Sequence, residues 1–546
     1  MKIALAQINV IIGDFDYNLQ KILVNIDKAK SQGADMIIFP ELTTTGYPPR
    51  DFLEFKDFIL KAEKLIEKLK NASKDIAIVV GSPTINPVVE GKDLYNSVIF
   101  LYQGKEIYRQ HKTLLPTYDI FDEARYFEEA NQWNIVEFKG KKIALTVCED
   151  LWNLGNENPL YTINPMDEMM KHKPDFIINI SASPFDYNHA SERIKILKEN
   201  VKAYKIPVFY VNHVGAQTDI IFDGGSLVVN SKQKVFTELP YFTEELAIVD
   251  YDKIEEIKND NPQEKNKLKL IKDALVLGIK DYFGKIGFKT AVLGLSGGLD
   301  SAITTVLAVE ALGKDNVRVL LMPSQFSSDH SVKDAEDLAK NLGIRYDIVP
   351  IKSIYESYLK ELTPLFEGKK FDVTEENIQA RIRGNLLMAI SNKFGNILLN
   401  TTNKSEMSVG YGTLYGDLSG GISVIGDVYK TEIFELAHFI NKDKEIIPNH
   451  TITKPPSAEL RPNQKDSDSL PDYDILDSIL KLYIEGRKGP DEIISLGYDE
   501  KLVSRVLKMV NRNEFKRHQT APVLRISPKA FGMGRRMPIV AKYLES

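Results

Sequence analysis

The sequence predicts an α/β protein built from two layered domains, and three observations predict it. Short apolar runs that end in polar or reactive residues alternate with helical stretches through the first half. The second half has a strand-helix-strand-helix order, which implies a doubly wound parallel sheet. A charged, apolar-poor stretch separates the two.

In the first half, ADMIIFPE ends at Glu41, IALTVCED at Cys148-Glu149-Asp150 and FIINISAS at Ser183, and PVFYVNHVG ends near Asn212 and His213. Apolar runs of this length without alternation suit strands buried on both faces. Amphipathic stretches such as 58–70 lie between them. Residues 1–255 are therefore expected to form the first domain. YDKIEEIKNDNPQEKNKLK, from Tyr251, reads as an exposed connection, with 256–269 as a charged linker and 270–546 as the second domain. That domain is expected to open with a helix over 270–283, then a strand TAVLGL, the segment SGGLDS and a helix over 302–312. A strand VRVLLMP, a helix over 332–342 and a strand RYDIVPI follow. The Pro-, Asp- and Ser-rich stretch 443–474 reads as a long loop, mobile or functional.

At 546 residues the chain is too long for one ordinary core. Its 43% hydrophobic and 27% charged residues are those of a globular protein, and a net charge of -6 argues against a general nucleic-acid binder. One cysteine excludes an internal disulfide, and no apolar run approaches the ~20 residues that span a bilayer. A cytoplasmic location, with no membrane and no nucleic-acid partner, is the expectation.

Gly294-Leu295-Ser296-Gly297-Gly298-Leu299-Asp300-Ser301 lies between a strand and a helix. Paired glycines let backbone N–H groups approach an anion, and a helix N-terminus adds a favourable field. Asp300 should repel phosphate unless a magnesium ion lies between them. The segment lacks the lysine of the GxxxxGK[ST] loop. SGGLDS resembles instead the loop of the adenine-nucleotide alpha-hydrolase group, the N-type ATP pyrophosphatases, in which it grips the leaving pyrophosphate. A second set of blocks (ENIQARIRGNLLMAISNK, LLNTTNKSEMSVGYGTLYGDL, GDVYKT, TKPPSAEL and FKRHQTAPVLRIS) resembles the NAD synthetase domain over most of 270–540. That resemblance implies ATP contacts at Thr401, Lys430 and Ser457. It implies deamido-NAD contacts at Asn377, Glu406, Tyr411, Gly412, Thr413, Leu414 and Lys516, with Asp300 and Glu406 as magnesium ligands. Asp417 is a candidate for orienting substrate.

Cys148 is the one sulfur nucleophile available. A lone cysteine is often a core residue, but this one ends an apolar run and precedes two acids. A thiol with a pKa near ~8.5 needs a base and a cation to act at neutral pH. Glu41 in FPELTTTGYPPRDF can take its proton, and Lys112 in HKTLLPTYDIFDEARYF can steady the developing oxyanion. Glu41, Lys112 and Cys148 resemble the Glu-Lys-Cys trio of the nitrilase, or carbon-nitrogen hydrolase, superfamily. This implies an αββα sandwich, and GYPPRD and CEDLW are similar to its glutaminase branch fused to NAD synthetases. By that resemblance Tyr118, Ser183 and His189 position glutamine. Relatives usually carry Lys or Arg where His189 stands, so its charge role is in question. Glu123 is a lower-ranked supporting acid.

Together the resemblances imply an ATP-dependent amidation of deamido-NAD to NAD, the final step of NAD biosynthesis, with ammonia drawn from glutamine and release of AMP, pyrophosphate and glutamate. Glutamine, ATP and deamido-NAD are the expected partners, Mg2+ the cofactor and a homo-oligomer through the synthetase domain the expected assembly. Three other readings compete: another ATP-pyrophosphatase amidotransferase such as a GMP synthetase, a plain nitrilase-type hydrolase, and a non-catalytic nucleotide sensor. The first carries an unrelated Cys-His-Glu glutaminase, the second leaves SGGLDS unexplained and the third leaves the trio unexplained.

Overall fold

A computed structural model describes every residue except 155–158, 258, 261, 463 and 545–546, and element counts are of the described residues. The chain divides into two compact units, Met1–Asn266 and Lys267–Ser546.

The first unit holds two six-stranded sheets. One runs Glu245–Asp250, Lys2–Gln7, Met36–Ile38, Ala77–Ile85, Leu94–Tyr102, Lys105–His111 in spatial order. The other runs Val235–Glu238, Leu227–Val229, Val208–Asn212, Phe176–Ser181, Lys141–Val147, Val136–Phe138. Strand alternation explains the layers. Ile3, Leu5 and Ile38 face Leu145, Ile178 and Val211 across the gap between the sheets. Ala4, Ala6 and Ile37 turn the other way, against Ile22, Ile26 and Leu69 of the helices Phe15–Ser31 and Lys56–Ala72. Ala144, Ile177 and Val208 likewise meet Met166, Leu197 and Val201 on the outer face of the second sheet. The result is an αββα sandwich with both sheets fully covered.

The second unit is built on a five-stranded sheet in the order Arg345–Ile348, Val317–Leu321, Ala291–Gly294, Ile397–Asn400, Ile422–Ser423, with every pairing parallel. The helices Leu299–Leu312, Asp329–Leu342 and Val373–Phe394 connect its strands. The order reverses beside Ala291–Gly294, so the mouth of an open α/β sheet falls where SGGLDS begins.

Local differences from the sequence reading have physical causes. The run 207–215 is two strands, Val208–Asn212 and Val214–Gln217, because the His213 ring turns aside to bond the Glu41 carbonyl. The helix after SGGLDS starts at Leu299, so Asp300 and Ser301 sit in its first turn. The 251–269 stretch packs on the first unit in part: Ile254 is buried, Asp260 Oδ1 accepts from Val235 N–H and Gln263 N–H donates to Glu238. The stretch 443–474 carries a helix at Asn449–Thr453 and a turn at Asp466–Asp468.

Candidate active sites

In the first unit three strand ends converge. Cys148 follows Lys141–Val147 directly, Lys112 follows Lys105–His111, and Glu41 comes three residues after Met36–Ile38. Asp150 couples two of these ends: one oxygen accepts from Val147 N–H, and the other accepts from Thr113 and Leu114 N–H at 2.9 Å each. Burial lifts the Asp150 pKa to about 6, against the pull of those three N–H donors. Cys148 sits at φ +41°, a left-handed strain that the surrounding bonds hold in place.

All three side chains are buried. Lys112 Nζ donates to Glu41 Oε1 and to Glu123 Oε1, both at 2.8 Å. Ala182 N–H donates to Glu41 Oε2 at 2.9 Å. Burial opposes the Lys112 charge, yet Glu123 and Glu41 outweigh it and hold the ammonium well above its usual pKa. Burial, then the Glu41 carboxylate, push the Cys148 thiol well up, with Lys112 opposing. The resting nucleophile is therefore a neutral thiol, and its chemistry needs the base beside it.

Two clusters flank the thiol. Tyr118 OH donates to Glu149 Oε1 at 3.0 Å, and Tyr161 OH to the same oxygen at 3.2 Å. Burial raises the Glu149 pKa to about 7. On the other side Ser183 Oγ and His189 Nε2 are 2.6 Å apart, and the His189 ring stacks on Trp152 at 4.7 Å. The sequence placed Tyr118, Ser183 and His189 but missed Glu149, Tyr161 and Trp152. Glu149 and Trp152 lie inside CEDLW, so adjacency to Cys148 was their signal. Tyr161 had none.

In the second unit a cavity of about 470 Å3 opens at the strand ends. Ser296 N–H and Ser301 Oγ are 3.3 Å apart, and Gly298 N–H donates to Ser296 Oγ, so hydroxyls brace the glycine turn from within. Gly294, Leu295, Ser296, Gly298, Leu299, Asp300 and Ser301 line the cavity, whereas Gly297 turns away from it. Gly297 has φ +80°, and a Cβ there would lie 2.1 Å from the Ser331 carbonyl oxygen, so only glycine fits. Thr401, Lys430, Ser457, Asn377, Glu406, Tyr411, Gly412, Thr413, Asp417 and Lys516 also line it. Leu414 does not; its carbonyl accepts from Arg381 Nε.

The cavity's charges are unbalanced. Lys430 Nζ pairs with Asp300 Oδ2, whose other oxygen accepts from Asn403 Nδ2 at 2.9 Å. Burial, then Asp300, lift the Glu406 carboxyl far above the carboxylate range, with Asp466 adding to the lift and Lys430 opposing it. Three acidic side chains thus gather around one ammonium. Among the described residues no group of three His, Cys, Asp or Glu side chains forms a ligand set by itself. Arg383 and Lys516 add positive walls: burial lowers the Arg383 pKa to about 10, and Lys516 Nζ donates to the Gly410 and Gly412 carbonyls. Arg383, Asp466 and Lys454 line the cavity without having been read from the sequence as site residues.

Comparison with known proteins agrees with both geometries. The carbon-nitrogen hydrolase family model matches residues 2–259 and the NAD synthase model matches 271–520. A glutamine-dependent NAD(+) synthetase of Synechocystis sp. is 44% identical over 99% of this chain and 99% of its own. The chain belongs to the glutamine-dependent NAD(+) synthetase family. The family member from Thermotoga maritima is 39% identical over 100% of this chain and 99% of its own. The solved structure of the Acinetobacter baumannii member in complex with ADP superposes with a TM-score of 0.78 at 39% identity, covering 99% of this chain and 98% of that one. That of the Cytophaga hutchinsonii member, at 21% identity, shares the fold with a TM-score of 0.86 over 100% and 99%.

Proposed function

We propose that this chain forms NAD from deamido-NAD and ATP with ammonia taken from glutamine, through the residues below. One observation carries the reading: a single chain holds a buried Glu-Lys-Cys network in one unit and a lysine-free phosphate turn with surplus carboxylates in the other.

In the first unit Glu41 takes the thiol proton as Cys148 Sγ attacks the glutamine carboxamide carbon. Lys112 Nζ stabilises the oxyanion, Glu41 hands the proton to the departing nitrogen, and ammonia leaves with a thioester remaining. Water, deprotonated by Glu41, then releases glutamate. Glu149, an acid at the lip of the thiol held by two phenols, suits the substrate ammonium; Ser183 and His189 suit its carboxylate.

In the second unit the deamido-NAD carboxylate attacks the ATP α-phosphorus and pyrophosphate leaves into the Ser296–Ser301 turn. Ammonia then displaces AMP from the acyl adenylate. Lys430 and Arg383 offset charge on the phosphates, and Lys516 orients the dinucleotide. Asp300 and Glu406 would hold magnesium, which supplies charge neutralisation of the polyphosphate when bound. Tyr358, Leu365, Phe371 and Val373 are exposed apolar side chains of the second unit, the unit through which a homo-oligomer is proposed. No helix of the described residues is long and apolar enough to cross a membrane, and a single cysteine with ATP as co-substrate accords with a cytoplasmic location.

The test supplies ATP, deamido-NAD and amide-15N glutamine. Label in NAD with AMP and pyrophosphate as products supports the reading, and ADP as the product would sink it.

A further inference from the structure

Asn96 has no part in the mechanism above. It lies on the strand Leu94–Tyr102 with no solvent exposure, beside both carboxylates of the amidase site. Its Nδ2 donates to Glu41 Oε1 at 2.7 Å and to Glu123 Oε2 at 3.3 Å. Its backbone carbonyl accepts from Lys112 N–H at 2.8 Å, so the same residue also fixes the chain that carries the lysine. Its Oδ1 has no donor among the described residues.

Those four facts define an unusual arrangement. Two buried carboxylates stand side by side with one ammonium between them, leaving one negative charge unmatched. Tyr47 OH donates to Glu123 Oε1 at 2.7 Å, so Glu123 has a donor on each oxygen. Glu41 Oε1 is shared by Lys112 and Asn96. A buried amide oxygen left without a donor is costly. Turning the amide over would aim that oxygen at two carboxylates, which costs more, so the carboxylates alone set the orientation of the side chain.

We infer that Asn96 is a positioning residue for glutamine hydrolysis: its amide protons bridge Glu41 and Glu123 and keep Glu41 ionised, and so able to take the Cys148 proton. This inference rests on the glutaminase reading. A hydrogen bond to the charged form of a carboxyl favours that form. Burial already lifts Glu41, with Lys112 opposing and Glu123 adding to the lift. The other ionisable groups facing this cluster are Tyr47, Cys148 and Glu149. His213 touches Glu41 only at its backbone carbonyl. Loss of the Asn96 donor raises Glu41 further, so the base is protonated over more of the pH range.

The test compares Asn96→Ala, Asn96→Ser and the near-isosteric Asn96→Asp in the full chain, reading glutamate release at saturating glutamine from pH 5.5 to 9. Saturation removes the separate titration of Glu149 from the profile. Asn96→Ala should lower kcat roughly 10- to 100-fold at neutral pH and move the acid limb up by about one pH unit, the scale of one hydrogen bond to a charged group. Glutamine KM should stay within about threefold, since the loss acts on the reacting step. Asn96→Ser, which keeps a shorter donor, should recover part of both effects. Asn96→Asp should be the slowest, because a third acid joins the pair. Circular dichroism and the unfolding midpoint show whether each variant folds; if Ala does not, Ser and Asp carry the test. A fall in kcat with an unmoved acid limb, or an Asn96→Asp variant as fast as the native chain, overturns the inference. Native protein that releases no glutamate overturns the glutaminase reading instead.

Discussion

The two sites solve the burial of charge in opposite ways. In the amidase unit the buried acids already have donors: Lys112 lies between Glu41 and Glu123, the Ala182 N–H and Asn96 close the remaining oxygens, Tyr47 adds a second donor to Glu123, and Asp150 ties two strand ends together. In the synthetase unit Asp300, Glu406 and Asp466 crowd one lysine, and a glycine turn braced by hydroxyls faces an open cavity. A covalent nucleophile meeting a small amide needs preorganised machinery that does not wait for its substrate. A site for polyphosphate, whose charge arrives with a cation, is left unbalanced until the ligand completes it. One half of the chain is finished by its own residues and the other by its substrates.

Breaking that contrast at its two centres should give the largest effects. Asp300→Ala should lower NAD formation by roughly 1000-fold or more with either glutamine or ammonia, because it removes the partner of Lys430 and, on the proposed reading, a magnesium ligand together. Cys148→Ala should abolish glutamine-driven synthesis and leave ammonia-driven synthesis within about twofold, since no other thiol exists to form the acyl-enzyme. Steady-state rates with each nitrogen donor check both, and a Cys148→Ala chain still active with glutamine would remove the amidase assignment.

The next test strikes the shape of the phosphate turn without touching charge. Gly297→Ala puts a methyl 2.1 Å from the Ser331 oxygen at a φ that side chains avoid. About 1–3 kcal/mol of strain follows, enough to cut ATP-dependent turnover roughly 10- to 100-fold. Glutaminase activity of the same variant should be unchanged. If both fall together, the two units are coupled more tightly than their separate charge schemes imply.

Glu149 offers a sharper comparison inside the amidase unit. Burial pushes its pKa up to about 7. On the proposed reading it pairs with the glutamine ammonium only when ionised, so its binding contribution is complete above pH 7 and lost as pH falls through it. Glutamine KM should therefore rise about tenfold per unit below pH 7 until the unpaired limit, with kcat following another group. Glu149→Gln should raise KM by roughly 10- to 100-fold at pH 8 and flatten that dependence. A KM independent of pH in the native chain would show the ammonium bound elsewhere.

Much of this was legible in the sequence because the chemistry clusters at strand ends. Glu41, Lys112, Cys148 and SGGLDS each close or follow an apolar run, and the parallel sheet follows from the order of those runs. The antiparallel strands over 77–111 were not picked out, and they bring Lys112 to Glu41. Asn96 carries no local signal, and Tyr47, although it stands in GYPPRD, was not singled out, since their partners lie 55 and 76 residues away. Arg383 sits on a helix whose sequence shows no strong face, and only the fold turns it toward the cavity. Asp466 belongs to a stretch that reads as polar loop; its bonds to Tyr411 and Tyr473 give it a place.

The smallest expected effect tests His189, whose charge role the sequence left in question. His189 stacks flat on Trp152, with an interplanar angle of 9°, and lies 2.6 Å from Ser183 Oγ. Its ring is placed by an indole and a hydroxyl, with the Glu192 carboxylate 3.9 Å from Nδ1, and the bond tested is the directed one on the Ser183 side. Loss of one such bond costs about 0.5–1.5 kcal/mol. His189→Ala should then raise glutamine KM roughly 3- to 10-fold with little change in kcat, and Trp152→Ala should give a smaller rise of the same kind. His189→Gln, which keeps a donor, should fall between the native chain and His189→Ala. If His189→Ala instead costs as much as Glu149→Gln, His189 acts as a charged anchor, and both ends of the glutamine backbone are held by ion pairs.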